Sequence, residues 1–208
     1  MSDSGALSRS GAPGTTAVLL AAGAGTRLGL GPKALLRFRG RTLVEVLAGV
    51  LLAGGCRKVV AVLGADAATV RASADLSRHR VIDNADWDTG MGSSFRLGVT
   101  AAAPADHVLI ALVDQPGLTA ATVARVLAAH RPGRVTAAGY RGAEGKLMRG
   151  HPLLLDVSLR AEAVEMAAGD AGARFFLQAH PELIDLVDCS DLSGGEDLDY
   201  PGQLHLLD

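Results

Sequence analysis

Small residues and two cations follow the first apolar run of this chain. The segment 19–29 is rich in glycine and alanine and contains Arg27, and Gly31, Pro32 and Lys33 follow it closely. Exposed backbone N–H groups together with fixed positive charges are what the phosphates of a nucleotide require. Pro32 restricts the approach of Lys33, and the Arg27 guanidinium can bind two phosphate oxygens at once. The segment therefore predicts a nucleotide-phosphate loop. Its other candidate contacts are Leu20, Ala21, Ala22, Gly23, Ala24 and Gly25.

Two familiar phosphate-loop patterns do not fit this segment. The dinucleotide fingerprint G-x-G-x-x-G needs a third glycine where Leu28 stands, and the glycine comes one residue late, at Gly29. A Walker loop needs Gly-Lys followed by Ser or Thr, whereas Lys33 lies between Pro32 and Ala34. The segment is therefore either a different anion-binding loop or a flexible glycine-rich turn with two solvated cations.

A carboxylate stands at the end of a long apolar run. Residues 108–113 are all apolar, and Asp114, Gln115 and Pro116 follow them. A residue that emerges from a buried strand of an α/β sheet lies where ligands bind, and a carboxylate there can hold a divalent cation. The alternative is a turn or capping aspartate, because Asp-x-Pro commonly begins turns. A phosphate loop and a metal carboxylate together indicate nucleotidyl transfer.

Short apolar runs alternate with longer helical patterns along the chain. This alternation predicts an α/β fold in which helices cover a parallel sheet. We expect a single doubly wound, Rossmann-like domain with a mostly parallel sheet, an antiparallel edge near 147–154, and ligands at the carboxyl ends of the strands. Thr119 is expected to cap a helix. The expected strands are 17–22, 58–63, 79–82, 107–113, 134–139, 147–154 and 183–187, and the expected helices are 42–53, 66–74, 93–103, 119–130, 158–166, 171–179 and 196–206.

Composition limits the class of protein. The 208 residues are 49% hydrophobic and 20% charged, which suits one domain with a sizeable core. A formal charge of −2 argues against a nucleic-acid partner, and charged residues interrupt every apolar run before it reaches the roughly 20 residues of a membrane span. Cys56 and Cys189 form neither a disulfide framework nor a C-x-x-C motif, so we expect a cytoplasmic protein. Residues 1–16 lack apolar periodicity and predict a disordered tail before a domain at 17–208.

Several motifs in order resemble one family of enzymes. The phosphate loop and the Lys33 segment look like the signature of nucleotidyltransferases of the sugar-nucleotide and molybdenum-cofactor type. The later motifs narrow the resemblance to the molybdenum cofactor cytidylyltransferases and their relatives that serve as xanthine dehydrogenase accessory proteins. The match runs from about 17 to 197. The motifs are Leu20-Ala21-Ala22-Gly23-x-Gly25-x-Arg27-x-Gly29, Pro32-Lys33-x-Leu35-Leu36, Gly90-Met91-Gly92-Ser93-Ser94, Asp114-Gln115-Pro116, Gly150-His151-Pro152 and Gly169-Asp170-x-Gly172-Ala173-Arg174.

The resemblance implies a reaction and a cofactor. Family members join a nucleoside triphosphate to the phosphate of a molybdopterin-type acceptor and release pyrophosphate. By resemblance, the fold is that of the nucleotide-diphospho-sugar transferases, Asp114 is a Mg²⁺ ligand, and Arg27 and Lys33 stabilise the departing pyrophosphate across the same crevice. The motifs Ala21-Ala22-Gly23 and Asp114-Gln115-Pro116 favour CTP over GTP, again by resemblance. A molybdenum hydroxylase apoprotein is a further implied partner.

The remaining carried-over residues surround the substrates. Asn84, Gly92 and Ser93 resemble the segment that holds the base and ribose, although a helix start with hydroxyls can equally be a simple cap. His151 is implied on the acceptor side, the alternative being a histidine that is hydrogen-bonded in a strand turn. The other implied acceptor contacts are Asp170 and Arg174, whose alternative is an ion pair on a helix surface.

One stretch departs from the family pattern. Family members usually have an Asp-x-Asp-Thr-Pro-x-Asp run near the C-terminus, whose acidic groups face the metal, and the resemblance aligns it with residues 191–197 here. In that alignment Ser193 replaces the second aspartate, which would weaken a hard-cation site, and Asp191 would compensate as a metal ligand. Three functions therefore remain open: molybdenum cofactor cytidylyltransferase, a nucleotidyltransferase for a sugar phosphate or phospho-acid, and a non-catalytic molybdenum-cofactor accessory protein.

Overall fold

The computed structural model describes residues 14–207 and contains one seven-stranded sheet and a separate two-stranded pair. Residues 1–13 of the expected tail lie outside the described residues, and Thr15 and Thr16 already belong to the first strand. The strands are β1 (Thr15–Ala21), β2 (Arg37–Phe38), β3 (Arg41–Thr42), β4 (Lys58–Leu63), β5 (Arg80–Asp83), β6 (His107–Leu112), β7 (Val135–Arg141), β8 (Leu147–Leu155) and β9 (Ile184–Asp188). The α-helices are α1 (Leu43–Ala53), α2 (Ala67–Ser73), α3 (Met91–Ala101), α4 (Ala120–Ala128), α5 (Arg160–Met166) and α6 (Arg174–Ala179).

The sheet confirms the expected doubly wound α/β fold. Its strand order is β5-β4-β1-β6-β8-β7-β9, and every neighbouring pair is parallel except those that involve β8. The expected antiparallel strand is therefore β8, which lies towards the β9 side of the sheet with β7 and β9 outside it. The order reverses between β1 and β6, so a crevice opens at the carboxyl ends of these two strands.

Alternation along the strands divides the core into two layers. Ala17, Leu19 and Ala21 of β1 pack into the cluster that includes α1 and α4, whereas Val18 and Leu20 pack against α3, α5 and α6 on the other face. All five are buried, as expected for a strand that is covered on both sides. No helix within residues 14–207 has the length and apolar character that a bilayer crossing needs.

Two expected helices differ from the observed chain. The expected helix at 171–179 begins only at Arg174, because Gly172 has φ +30° and separates a short 3₁₀ turn (Gly169–Ala171) from α6. The expected helix at 196–206 is a 3₁₀ helix at Pro201–Leu207, and residues 197–199 before it have no regular secondary structure. That segment is held by hydrogen bonds to the carboxyl end of β6, as described below. The expected cap at Thr119 is confirmed, because its hydroxyl accepts a hydrogen bond from the Thr122 backbone at 3.1 Å.

Candidate active site

The glycine-rich segment after β1 folds into a compact loop, here called the β1 loop (residues 23–31). Gly25 has φ +65°, and a Cβ at this position would lie only 2.0 Å from the carbonyl oxygen of Gly31. The backbone N–H groups of Leu28 and Gly29 both donate to the Gly25 carbonyl at 3.1 Å. Only glycine permits this close return of the chain. Arg27 is exposed at the turn.

The β1 loop forms one wall of an open cleft of about 460 Å³ at the carboxyl ends of β1 and β6. This is the position that the doubly wound fold favours for ligands. The structure therefore brings together most of the predicted phosphate contacts and the predicted metal carboxylate. The lining residues are Leu20, Ala22, Gly23, Ala24, Gly25, Thr26, Arg27, Lys33, Trp87, Asp88, Gly90, Met91, Ser94, Leu112, Val113, Asp114, Asp170 and Asp199.

Lys33 lies between two carboxylates at the base of this cleft. Its Nζ is 3.1 Å from Asp114 Oδ2 and 2.5 Å from Asp199 Oδ1. Burial opposes the charged form of Lys33, but the charges and hydrogen bonds of the two aspartates outweigh that effect and raise its pKa above the ordinary value. Lys33 is therefore a fixed cation at neutral pH.

Asp114, at the end of β6, is the predicted metal carboxylate and has a shifted pKa. Burial raises its pKa above the ordinary value, Lys33 opposes this, and the nearby charges of Asp197 and Asp199 add to it. Its Oδ1 atom is buried and has no hydrogen-bond partner within residues 14–207. A buried carboxylate oxygen without a partner is costly unless a ligand satisfies it. Oxygen donors of this kind suit a hard divalent cation.

Asp197 and Asp199, which the sequence did not lead us to assign to the site, lie near Asp114 and form an acidic group with it. The Leu198 backbone N–H donates to the Asp114 carbonyl at 2.7 Å, and Gln115 Nε2 donates to Asp197 Oδ1 at 2.8 Å. These bonds hold the C-terminal segment against the end of β6 and place Asp199 on Lys33. The signal was present in the sequence, because Asp197-Leu198-Asp199-Tyr200-Pro201 keeps the Asp-x-Asp-x-Pro spacing of the family pattern.

The alignment of that pattern with residues 191–197 is therefore corrected. Asp191 does not line the cleft; its carboxylate pairs with Arg125 on α4, with Nη1–Oδ1 and Nη2–Oδ2 distances of 2.5 and 2.9 Å. Ser193 is no substituted metal ligand, because its hydroxyl accepts a hydrogen bond from the Gly195 backbone at 3.0 Å and closes its own turn. The acidic group beside Asp114 is supplied by Asp197 and Asp199.

Three predicted nucleotide contacts, Asn84, Gly92 and Ser93, do not line the cleft. They pack behind the residues that do and support them. Asn84 Nδ2 donates to Ser93 Oγ at 2.8 Å and to Ser94 Oγ at 2.9 Å, and Asn84 Oδ1 accepts from the Asp86 backbone at 3.0 Å. A Cβ at Gly92 would lie 2.9 Å from the carbonyl carbon of Ala168. Gly90 and Ser94, from the same stretch of chain, do line the cleft. The predicted contact Ala21 does not line it and is buried in the core.

The three predicted acceptor contacts separate in space. Asp170 lines the cleft, next to the start of α3. Burial lowers the pKa of His151 to about 4 against the opposing charge of Asp114, so its imidazole is neutral near pH 7, and His151 is not part of the cleft lining. Arg174 is exposed, does not line the cleft, and lies 5.9 Å from the centre of the Phe175 ring.

Comparisons with known proteins agree with this arrangement. A model of the MobA-like NTP transferase domain matches residues 17–183. Nicotine blue oxidoreductase of Paenarthrobacter nicotinovorans is 54% identical over 197 residues, which cover 94% of this chain and 97% of that protein. A nucleotidyl transferase from Methanothermobacter thermautotroptrophicus is 25% identical with a TM-score of 0.77, covering 93% of this chain and 95% of the other. Rv0371c of Mycobacterium tuberculosis is 25% identical with a TM-score of 0.78, covering 95% and 98%. The chain belongs to the MobA-like NTP transferase domain family.

Proposed function

We propose that this protein is a Mg²⁺-dependent cytidylyltransferase that transfers CMP from CTP to the phosphate of molybdenum cofactor and releases pyrophosphate. The observation that carries the proposal is the contact between Lys33 and Asp114 at the base of a cleft whose wall is the β1 loop. A fixed cation, a carboxylate and open backbone N–H groups are thereby within reach of one polyphosphate.

The acidic group fits a magnesium ion. Asp114 offers a buried oxygen without a hydrogen-bond partner in residues 14–207, and Asp199 lies on the same lysine. Mg²⁺ prefers oxygen ligands and bridges phosphate oxygens, so Asp114 and Asp199 would hold it, with Asp197 near them. When bound, the ion supplies neutralisation of charge on the triphosphate.

The residues of the chain then need only to bind and align. Because the acceptor phosphate is already an anion, the reaction requires no protein nucleophile and no strong base. Glycine N–H groups of the β1 loop and Arg27 bind the triphosphate, and Lys33 exchanges its contact with Asp114 or Asp199 for the pyrophosphate that leaves. Asp170 lines the cleft and is a proposed acceptor contact, and the resemblance assigns the neutral His151 to the acceptor side as well.

The base and acceptor assignments are supported by resemblance. The motifs Ala21-Ala22-Gly23 and Asp114-Gln115-Pro116 favour CTP, and Gly150-His151-Pro152 favours a phosphorylated pterin. A molybdenum hydroxylase apoprotein would receive the product. The proposal includes a cytoplasmic location, which suits the two free thiols of Cys56 and Cys189.

The test is a matrix of four nucleoside triphosphates against three acceptors, with pyrophosphate release as the readout. The acceptors are molybdenum cofactor, a sugar phosphate and a phospho-acid, and Mg²⁺ is present throughout. We expect release with CTP and molybdenum cofactor, loss of release in Asp114→Asn, and retention in the matched variant Asp191→Asn. Release with another acceptor alone would identify a sister transferase. Binding of molybdenum cofactor without release for any triphosphate would support the accessory function instead.

A second candidate is favoured by the 54% identity with nicotine blue oxidoreductase. In this function the β1 loop and Arg27 would bind the pyrophosphate of a reduced nicotinamide dinucleotide, which is also a diphosphate anion. The nicotinamide would pass a hydride to a flat conjugated substrate, and a proton from solvent would complete the reduction. Trp87 and Met91 line the cleft and offer apolar surface to such a substrate.

Dye reduction separates the two candidates. The protein is mixed with nicotine blue and reduced nicotinamide dinucleotide, and the absorbance of both is followed. Stoichiometric oxidation of the nicotinamide with bleaching of the dye, in the absence of pyrophosphate release from any triphosphate, would establish the oxidoreductase and overturn the transferase. Pyrophosphate release without dye reduction would do the reverse.

A further inference from the structure

Three potential metal ligands meet at the end of the sheet opposite the cleft. His107 is the first residue of β6, His130 follows α4, and Asp156 follows β8. Because β8 is antiparallel to β6, with Leu155 opposite Val108, the end of β8 reaches the beginning of β6. These three residues, called here the His–His–Asp cluster, lie at the amino ends of the parallel strands, whereas Asp114 lies at their carboxyl ends.

The ligand atoms of the cluster are close together and nearly buried. Asp156 Oδ2 is 3.3 Å from His107 Nδ1 and 3.1 Å from His130 Nε2, and one ligand atom from each residue lies within 4.8 Å of the other two. The side chains of His107, His130 and Asp156 are 14%, 11% and 6% exposed. The two imidazole rings meet edge to face, with their centres 4.5 Å apart.

Two of the three separations between ligand atoms match the edge of a small coordination polyhedron. Ligands held tetrahedrally at 2.0–2.1 Å from Zn²⁺ are separated by about 3.3 Å, close to both distances from Asp156. The atoms that face away from the centre are fixed by other groups. Asp156 Oδ1 accepts from the Ser158 backbone at 2.9 Å, and His130 Nδ1 lies 3.4 Å from Thr136 Oγ1. Such outer contacts orient the ligands of known metal sites.

A backbone hydrogen bond fixes the tautomer of one ligand. The lone pair of His107 Nδ1 is free of a proton, because that atom accepts a hydrogen bond from the Val157 backbone at 3.1 Å.

We propose that His107, His130 and Asp156 bind a divalent transition-metal ion of the Zn²⁺ class at a second site, separate from the cleft. Two imidazoles and one carboxylate are a donor set that selects such an ion over Mg²⁺, and a water molecule completes the tetrahedron. Binding replaces the hydrogen bond from Val157 to His107. The ion links β6, the end of α4 and the end of β8, so its binding stabilises the fold.

Cobalt titration tests the site, because tetrahedral Co²⁺ with nitrogen ligands absorbs in the visible range and octahedral Co²⁺ on oxygen ligands absorbs far more weakly. The protein used is Asp114→Asn, in which the cleft site is weakened by the loss of one of its carboxylates. We expect one equivalent of Co²⁺ to produce the visible band and one equivalent of Zn²⁺ to abolish it. His107→Phe and Asp156→Asn each reduce the affinity by at least tenfold. Asp156→Asn keeps an oxygen for the bond from Ser158.

His180→Gln is the matched control. His180 is a partly exposed histidine beside Glu162 and Glu182, so it represents binding by an ordinary surface histidine. The band persists in this variant if the proposal is correct. The proposal is overturned if the Asp114→Asn protein gives no band, if both cluster variants retain it, or if His180→Gln abolishes it.

The cluster variants could lose the cobalt band because they misfold. A second measurement therefore uses a protein in which the His–His–Asp cluster is intact. Zn²⁺ added to the Asp114→Asn protein is expected to raise its Tm by several degrees, and a chelator is expected to reverse the shift. An unchanged Tm at a concentration of Zn²⁺ that saturates a structural site would contradict the proposal. Neither result depends on which reaction the cleft performs.

Discussion

Two glycine-containing segments follow β1 and β5, two parallel strands of the sheet that β4 separates, and they differ in how their polar groups are used. In the β1 loop, a Cβ at Gly23, Gly29 or Gly31 would meet nothing within 4 Å, and Arg27 is exposed. The second segment, here called the β5 loop (residues 84–94), is closed on itself: Asn84 bonds to two serines and to the backbone.

The comparison shows that glycines serve two purposes in loops of this sheet: they leave room for a ligand in one loop and allow close packing in the other. Both segments contain at least one glycine with positive φ, and both follow the carboxyl ends of parallel strands. The β1 loop leaves space and charge for a ligand, whereas the buried Asn84 and Gly92 of the β5 loop support the cleft wall through hydrogen bonds and close packing. Variants of the β1 loop should therefore change catalysis, and variants of Asn84 and Gly92 should change stability.

The largest effect is expected for Asp114→Asn. The amide removes the negative charge that would hold the metal, and we expect kcat to fall by about 10³-fold or more, since loss of one charge-stabilising group already costs about 10²–10³-fold. Steady-state pyrophosphate release is the measurement. Asp191→Asn is the control, because Asp191 is exposed and pairs only with Arg125 among the described contacts. Equal activity of the two variants would remove Asp114 from the mechanism.

Lys33→Met is expected to have the next largest effect. Loss of the ammonium that faces the leaving pyrophosphate should lower kcat by about 10²-fold. It also leaves Asp114 and Asp199 without the cation between them, so Mg²⁺ should raise the Tm of this variant more than that of the unaltered protein. Lys58→Met, at the exposed start of β4, is the matched control. A variant with full activity would show that Lys33 only closes the ligand-free cleft.

Gly92→Ala tests the β5 loop through packing. The added Cβ would lie 2.9 Å from backbone atoms of Ala168 and Gly169, which cannot move like a flexible side chain. We expect the free energy of unfolding to decrease by about 2–3 kcal/mol, measured by urea denaturation. Gly49→Ala in α1 is the control, since its Cβ meets nothing within 4 Å and alanine favours a helix. Similar stabilities of the two variants would contradict the packing role.

The smallest of these effects is expected for Asn84→Ala. Removal of the amide leaves the Asp86 backbone N–H without its acceptor and frees two buried serines, which should cost about 1–2 kcal/mol of stability. The KM for the triphosphate, measured at a temperature where the variant is folded, should change little. A large increase in KM at unchanged stability would return Asn84 to the base-binding role that the sequence suggested.

The sequence was sufficient for the elements that apolar runs define. The strand at 58–63 is observed as expected, and the strand expected at 107–113 ends one residue earlier, at Leu112. Buried parallel strands are nearly continuous apolar runs, so composition alone marks them. The phosphate loop and Asp114 were also predictable, because both follow such strands directly.

Long-range pairing was not predictable in the same way. The hydrogen bond from Leu198 to Asp114 joins two segments that are far apart in the sequence, and the segment that contains Leu198 has no apolar periodicity. The sequence alone therefore allowed the family pattern to be aligned on Asp191. In the structure, however, Asp191 forms an ion pair with Arg125, whereas Asp199 forms one with Lys33. Likewise, a helix start with serines does not reveal whether its hydroxyls face a ligand or Asn84.

The most direct measurement of the central claim is the position of Mn²⁺ in crystals grown with CTP, located by its anomalous scattering. We predict a peak within bonding distance of Asp114, with the triphosphate lying along the β1 loop and contacting Lys33. A nucleotide bound elsewhere, or a manganese peak remote from Asp114 while CTP is present, would contradict the account.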